Sequence, residues 1–367
     1  MKVPFLDLEA QYNKIKPEVL KAIEDVLDTR QFIQGSICED FSKKFLEIHG
    51  GNYGVGCSNG TSAITISLRA LDIKPGDEVI TVANTFFATV EAIAEVGATP
   101  ILVDCLPDTY GIDTEQIKAK INSKTKAIIP VHLYGNPAQM DEIMKIAEDN
   151  NLKVIEDCAQ AHLASLNGQA VATFGDAGTF SFYPGKNLGA YGDAGFVLTK
   201  DEELQTLVTM HLNHGRIKKY EHDFLAGNYR MDGIQAAVLG VKLKYISDWT
   251  EKRITVAKKY DEVLKAKGFK VTEVKENAKC SYHLYVVEVS NRKEVMSALK
   301  EVNIGTGVHY PIPMHMQPAC SHLGYKKGDF PVSEAAAERI VSLPICPELT
   351  DEQIQYVLDN FLKVAKA

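Results

Sequence analysis

From residue 52 to about residue 200, short apolar runs alternate with stretches of helical periodicity. The runs are Tyr53–Cys57, Val79–Ala83, Thr99–Asp104, Ala127–His132, Lys153–Asp157, Gly178–Tyr183 and Gly195–Thr199. Apolar runs bounded by Gly, Pro and Asp suit strands buried on both faces. Between them, Thr61–Leu71, Thr85–Val96, Thr114–Ile121 and Met140–Asn150 read as helices. Strand, helix, strand in repetition predicts an α/β fold: a parallel or mixed sheet covered on both sides. A long helical stretch from about Asp232 to Lys267 then hands the chain to a second unit. That unit reads as strand Tyr282–Val289, helix Arg292–Val302, strand Gly305–Tyr310, a proline-rich crossing, and helices over 333–341 and 350–365. The last helix opens at Thr350 with Glu352 nearby, a start signal short of a full capping box. The expected organisation is a large domain over residues 1–245 and a smaller α+β domain over 246–367. No internal repeat or low-complexity segment interrupts it.

Composition narrows the function classes. With 367 residues, 45% hydrophobic and 24% charged, the chain has the make-up of a globular protein. Forty basic residues against forty-eight acidic ones give a net charge of -8. Nucleic-acid binding normally needs the opposite balance and is not expected. An anionic ligand would have to be met by a local pocket. The start MKVPFLDLEAQYNKIKPEVL has no charged region followed by a long apolar run, and no stretch reaches roughly 18 apolar residues. Neither a signal peptide nor a membrane span is therefore expected, and the seven cysteines, without a CxxC pair, read as reduced, buried residues of a cytoplasmic protein.

Three segments bear on chemistry. Gly54–Ser62 ends a strand and opens a helix, where free backbone N–H groups form a seat for phosphate. A dinucleotide fingerprint would require Gly at 59, where Asn59 stands. A P-loop at Gly185-Lys186-Asn187 would require Gly at 180 and Ser or Thr at 187, and the chain has Phe180 and Asn187. A single phosphate monoester seated at Asn59–Ser62 and an ordinary glycine-rich turn both remain open. Asp157 closes a buried strand at the end where ligands of open α/β sheets collect. A carboxylate there needs a cationic or hydrogen-bonding partner, unless it only caps a helix. Lys186 stands in a loop that breaks a strand at Pro184-Gly185 and carries further glycines at 189 and 192. In a confined site such a lysine acts as an amine nucleophile; otherwise it is a solvated loop residue. Together these parts suit pyridoxal phosphate, which needs a lysine, a carboxylate for its ring nitrogen, a phosphate seat and an aromatic platform. The sequence offers Lys186, Asp157, Gly60–Thr61 with Ser181, and Phe86 for these roles. His309 and His315 have no third ligand at sensible spacing, so no metal is expected.

Over nearly its whole length the chain resembles the DegT/StrS family of fold-type I aminotransferases. The resemblance is carried by Glu156-Asp157-Cys158-Ala159-Gln160-Ala161-His162, by Ser181-Phe182-Tyr183-Pro184-Gly185-Lys186-Asn187-Leu188-Gly189, by Gly227-Asn228-Tyr229-Arg230-Met231-Asp232, and by His309-Tyr310-Pro311-Ile312-Pro313-Met314-His315. It implies a large, mostly parallel sheet domain with a smaller C-terminal domain, and pyridoxal 5'-phosphate as cofactor. It implies that Lys186 is the Schiff-base lysine, that Asp157 meets the pyridine nitrogen, and that Gln160 bonds the ring hydroxyl. Phe86 is implied to stack on the ring, and Gly60, Thr61 and Ser181 to hold the phosphate. Asn228 is implied to reach the phosphate of a neighbouring subunit, which makes the expected assembly a homodimer with shared active sites. Tyr183, His309 and Tyr310 match positions that meet the sugar, and the basic run containing Arg216 and Lys219 is a candidate for the substrate diphosphate. The implied reaction moves an amino group from L-glutamate to a nucleotide-linked ketosugar. The 3-keto branch, acting on dTDP-3-keto-6-deoxyhexoses, is the most similar; 4-keto and UDP-linked substrates stay open. Lys186 argues against the dehydratase branch, which carries histidine there. Leu163 departs from the pattern, since many relatives have Gly after this His. Two other readings are a cysteine desulfurase-like enzyme using Cys320 or Cys346, and a non-catalytic regulator that binds the same cofactor.

Overall fold

A computed structural model describes residues 1–367. In chain order the strands are β1 (Tyr53–Cys57), β2 (Glu78–Val82), β3 (Thr99–Val103), β4 (Thr125–Ile129), β5 (Lys153–Asp157), the short β6 (Ser165–Leu166) and β7 (Gln169–Ala170), β8 (Ala177–Ser181), β9 (Gly195–Thr199), β10 (Ala278–Lys279), β11 (Tyr285–Glu288) and β12 (Ile340–Leu343). All seven strands expected before residue 200 join one sheet, in the order β1-β9-β8-β5-β4-β2-β3. The pairs from β8 through β3 are parallel, and β9 runs antiparallel to both β8 and β1. The sheet is therefore mixed and mostly parallel. β8 and β9 are buried at every position, which is why they read as unbroken apolar runs rather than alternating ones.

Twelve helices surround this sheet and its companion pair: α1 (Leu8–Thr29), α2 (Ser36–His49), α3 (Gly60–Ala70), α4 (Phe87–Glu95), α5 (Thr114–Lys120), α6 (Met140–Asn150), α7 (Glu202–Leu212), α8 (Gly233–Leu243), α9 (Ile246–Ala266), α10 (Arg292–Glu301), α11 (Pro331–Arg339) and α12 (Asp351–Val364). None is long and apolar enough to cross a membrane. α1, α2 and α7 were not anticipated from the pattern. α12 carries a complete capping box after all: Thr350 Oγ1 accepts from the Gln353 amide, and the Gln353 side chain accepts from the Thr350 amide.

Two expectations for the second half need correction. The stretch 232–267 is two helices, parted at Lys244 and Tyr245 without a Gly or Pro. Glu18 on α1 accepts hydrogen bonds from both Lys244 Nζ and Tyr245 Oη, so a tertiary contact holds the bend. Residues 305–310 form no strand; only the single bridge Gly307–Ser342 ties them to a sheet. The partner of β11 is instead β12, four residues in register from Tyr285–Leu343 to Glu288–Ile340. Helix α11 stops at Arg339 because Ile340 turns extended, at φ -69° and ψ 141°. This pair packs one face on a core of 20 buried residues drawn from the N-terminal Val3 and from 256–361. Leu284, Val286 and Ile340 join the core that lies along β2, β3 and β4. Residues 305–310 are thereby left free to bend over the C-terminal ends of the large sheet.

Candidate active site

The site is built where the parallel strands end, the usual ligand crevice of an open α/β sheet. Asp157 is the last residue of β5 and only 6% exposed. Its Oδ2 accepts from Thr89 Oγ1 at 2.9 Å and its Oδ1 from the Ala159 amide at 3.1 Å. Glu156, its neighbour, points to the other side of the sheet. There it accepts from His132 Nε2 at 3.0 Å and from the amides of Ala172, Phe174 and Gly175 at 2.8 to 2.9 Å. His132, Glu156 and Cys158 place three ligand-type atoms within 4.8 Å of one another. The carboxylate lone pairs there are already engaged, and His132 Nδ1 accepts from the Ala138 amide at 3.0 Å. The cluster is a hydrogen-bonded brace for the 172–175 turn.

The phosphate-seat candidate lies at the start of α3. Asn59 is its N-cap, with a reciprocal capping box to Ser62 at 2.8 and 3.1 Å. The amides of Gly60 and Thr61 have no acceptor within the chain, as the first turn of a helix requires. A Cβ added at Gly60 would lie 2.7 Å from Ser181 Cβ, so only glycine lets the helix start close on the end of β8. Free N–H groups, a positive helix end and the Ser181 hydroxyl give this corner the chemistry of an anion seat.

Lys186 follows a turn closed by its own amide donating to the Tyr183 carbonyl at 2.8 Å. Downstream, a Cβ at Gly189 would fall 2.3 Å from the Pro184 carbonyl oxygen, so that glycine permits the tight return. Burial lowers the Lys186 pKa to about 8, and the charge of Asp157 opposes that shift. An amine in this state is available as a nucleophile near neutral pH.

The remaining walls come from distant segments. Gln160 accepts from the Tyr134 amide at 2.7 Å and donates from Nε2 to Tyr310 Oη at 2.9 Å, so its amide orientation is fixed. Tyr134 Oη donates to the His309 carbonyl at 2.5 Å, and His309 Nδ1 meets Ser342 Oγ at 2.8 Å. Phe86 is 56% exposed at the start of α4, an unusual state for a large aromatic, with its ring 5.5 Å from that of Tyr310. Phe5 stacks on His309 with ring centroids 5.7 Å apart.

These groups enclose one cavity of about 810 Å³. Of the residues singled out in the sequence, Gly60, Thr61, Phe86, Asp157, Gln160, Ser181, Tyr183, Lys186, His309 and Tyr310 all line it. Arg216, Lys219 and Asn228 do not line the cavity of their own chain. Backbone bonds from His214 to Gly227 and from Asp223 to Gly215 fold residues 214–227 back on themselves, with Lys219 and Asn228 exposed. Sequence reasoning missed Thr89, Tyr134, His283 and the wall formed by Phe5 and Leu6. Only the last had a visible signal, the Val3-Pro4-Phe5-Leu6 stretch. Leu163 adopts φ 60°, the left-handed region that favours glycine, so the backbone keeps a glycine-like path despite its side chain.

Comparison with known proteins decides the family. Residues 13–362 match the DegT/DnrJ/EryC1/StrS aminotransferase family. The chain belongs to this family. A dTDP-3-amino-3,6-dideoxy-alpha-D-galactopyranose transaminase of Aneurinibacillus thermoaerophilus is 44% identical, over 97% of this chain and 98% of that one. A UDP-N-acetyl-3-dehydro-alpha-D-glucosamine 3-aminotransferase of Acidithiobacillus ferrooxidans is 42% identical, over 96% and 95%. A protein of Geobacillus stearothermophilus named pleiotropic regulatory protein is 45% identical, over 98% of both. Among solved structures, NtdA of Bacillus subtilis with bound cofactor PMP superposes with a TM-score of 0.90 at 35% identity, covering 99% of this chain and 85% of that one. The chain is thus an aminotransferase of the fold-type I architecture expected from its sequence.

Proposed function

We propose that this protein is a pyridoxal 5'-phosphate-dependent aminotransferase that passes the amino group of L-glutamate to a nucleotide-linked ketosugar. The observation that carries the reading is the enclosure of a depressed-pKa lysine, a fixed carboxylate and two free helix-start amides by one cavity. Bound there, the cofactor supplies an aldehyde that condenses with amines and a ring that takes up electrons. Gly60, Thr61 and Ser181 would hold its phosphate, and Phe86 would supply an apolar wall for its ring. Asp157, held in place by Thr89 and Ala159, would meet the ring nitrogen and favour its protonated form. Gln160 keeps a second Nε2 hydrogen for the ring hydroxyl after donating the first to Tyr310. Lys186 Nζ removes the proton from the donor's α-carbon and later returns one to the sugar carbon. Tyr183, His309 and Tyr310 form the sugar wall. Asn228 completes the phosphate seat of a second copy in a homodimer, and Arg216 and Lys219 meet the substrate diphosphate.

Within this reading the substrate is a 3-ketosugar, since two relatives are named for amination at carbon 3. Their nucleotides differ; a dTDP-3-keto-6-deoxyhexose is our first choice. Incubation with glutamate and a panel of dTDP- and UDP-linked 3- and 4-ketosugars, read by mass spectrometry, tests this. An aminated dTDP-3-ketosugar is expected; amination of only 4-keto or UDP-linked members overturns the finer assignment. A regulatory role is suggested by the name of the Geobacillus relative. A pure regulator would bind the cofactor yet release no 2-oxoglutarate from glutamate.

A further inference from the structure

His283 is a buried titratable group that the proposed reaction leaves without a task. It is 9% exposed and lines the cavity that Lys186 enters. Its surroundings fix its tautomer. Asn187, the residue after Lys186, donates from Nδ2 to the Ser281 carbonyl at 2.9 Å, which turns its Oδ1 to His283 Nδ1 at 3.2 Å. A carboxamide oxygen only accepts, so Nδ1 carries the proton and Nε2 keeps a lone pair. No group of the chain bonds to Nε2. The backbone beneath the ring is pinned as well: buried Arg253 donates from Nη1 to the carbonyls of Tyr282, His283 and Ile345 at 3.3, 3.4 and 2.9 Å.

Burial, then the charges of Lys186 and Arg253, keep His283 well below the usual histidine pKa. His162 and His309 also feel Lys186 and are likewise lowered, chiefly by burial. Asp157 is the carboxylate that acts on Lys186. Without a neutral acceptor, a protonated Lys186 would turn to Asp157 and compete with the ring nitrogen for it.

We infer that His283 is a positioning residue for Lys186: clamped by Asn187 as the Nδ1–H tautomer, it presents Nε2 to the cavity and accepts a hydrogen bond from the protonated lysine amine. No proton passes to His283; the amine is held near the reacting carbon and away from Asp157. The inference rests on the reading of Lys186 as the reactive amine.

The test uses the full-length chain freed of cofactor. Lys186 is methylated with formaldehyde and cyanoborohydride across a pH series, and its labelling is followed by peptide mass spectrometry. His283→Phe keeps a flat ring but removes the acceptor, and should lower the labelling midpoint by about one pH unit, the weight of one charge-assisted hydrogen bond. His283→Gln, whose carbonyl accepts, should restore it. An unmoved midpoint in folded His283→Phe overturns the inference. If that variant does not fold, 15N spectra of the native protein decide, with Nδ1–H at His283 expected and Nε2–H contradicting it. A parallel sample of native protein is given pyridoxal phosphate and borohydride. Absence of the adduct at Lys186 refutes the reading of the whole site; an adduct with an unmoved midpoint refutes only the role of His283.

Discussion

Glu156 and Asp157 are adjacent carboxylates on one strand, and the alternation of β-structure sends them to opposite faces of the sheet. Both are buried. Glu156 accepts four hydrogen bonds, and its His132 partner is itself fixed through Nδ1. Asp157 accepts two and opens onto the cavity. A carboxylate whose lone pairs are all met is a brace; one left partly unmet beside a cavity has capacity for a ligand. In the sequence the pair is told apart only by position, Asp157 standing at the end of the strand.

This contrast can be broken by paired substitutions. Asp157→Asn should leave the fold intact while slowing turnover by ~10²- to 10³-fold, since a neutral amide no longer favours the protonated ring nitrogen. Steady-state rates and cofactor dissociation measure it, and near-native turnover would return Asp157 to a structural role. Glu156→Gln should do the reverse, costing about 3 kcal/mol of stability because its amide group would face backbone donors. Denaturant unfolding measures it, and native stability would show that the brace is dispensable.

Local signals are legible in the sequence, and long-range partners are not. The seven large-sheet strands were readable because burial on both faces leaves continuous apolar runs. Lys186, Asp157 and the Asn59–Ser62 turn were readable because each carries local signals of strand end, glycine or cap. Helix α1 was not, since it interrupts itself with Pro17, exposes Leu8, Leu20 and Leu27, and buries only Ile15, Val19 and Val26. The bend at Lys244–Tyr245 depends on Glu18, more than two hundred residues away in the chain. Thr89 and Asp157 lie 68 residues apart, and Asn187 and His283 lie 96 apart. Such partners become visible only when the fold brings them together.

A second pair of regions differs in how much of the site one chain supplies. The β5–β8 edge completes its part of the cavity within one chain, whereas residues 214–228 carry Arg216, Lys219 and Asn228 outside it. In the proposed homodimer, mixing inactive Lys186→Ala with inactive Asn228→Asp should restore activity, because each heterodimer would regain one site with both native residues. Verified heterodimers without activity would place Asn228 outside the shared site. The smallest effect concerns pH. Burial holds the Lys186 pKa near 8 against 10.5 for the ordinary lysine, so between these values the unfolded chain binds the extra proton. Stability of the cofactor-free protein should gain from this group as pH rises from about 8, by at most ~1.4 kcal/mol per pH unit. Lys186→Met should flatten that rise in denaturant titrations at pH 8 to 9.5; an unchanged slope would mean that the amine is not buried in solution.

The amine of Lys186 is expected to capture the cofactor inside this cavity. Adding pyridoxal 5'-phosphate to the native protein, reducing with borohydride and mapping the modified peptide puts this to the test. A visible absorption band before reduction and a stable adduct at Lys186 alone are expected. A colourless protein, or an adduct at any other lysine, would contradict this role for Lys186.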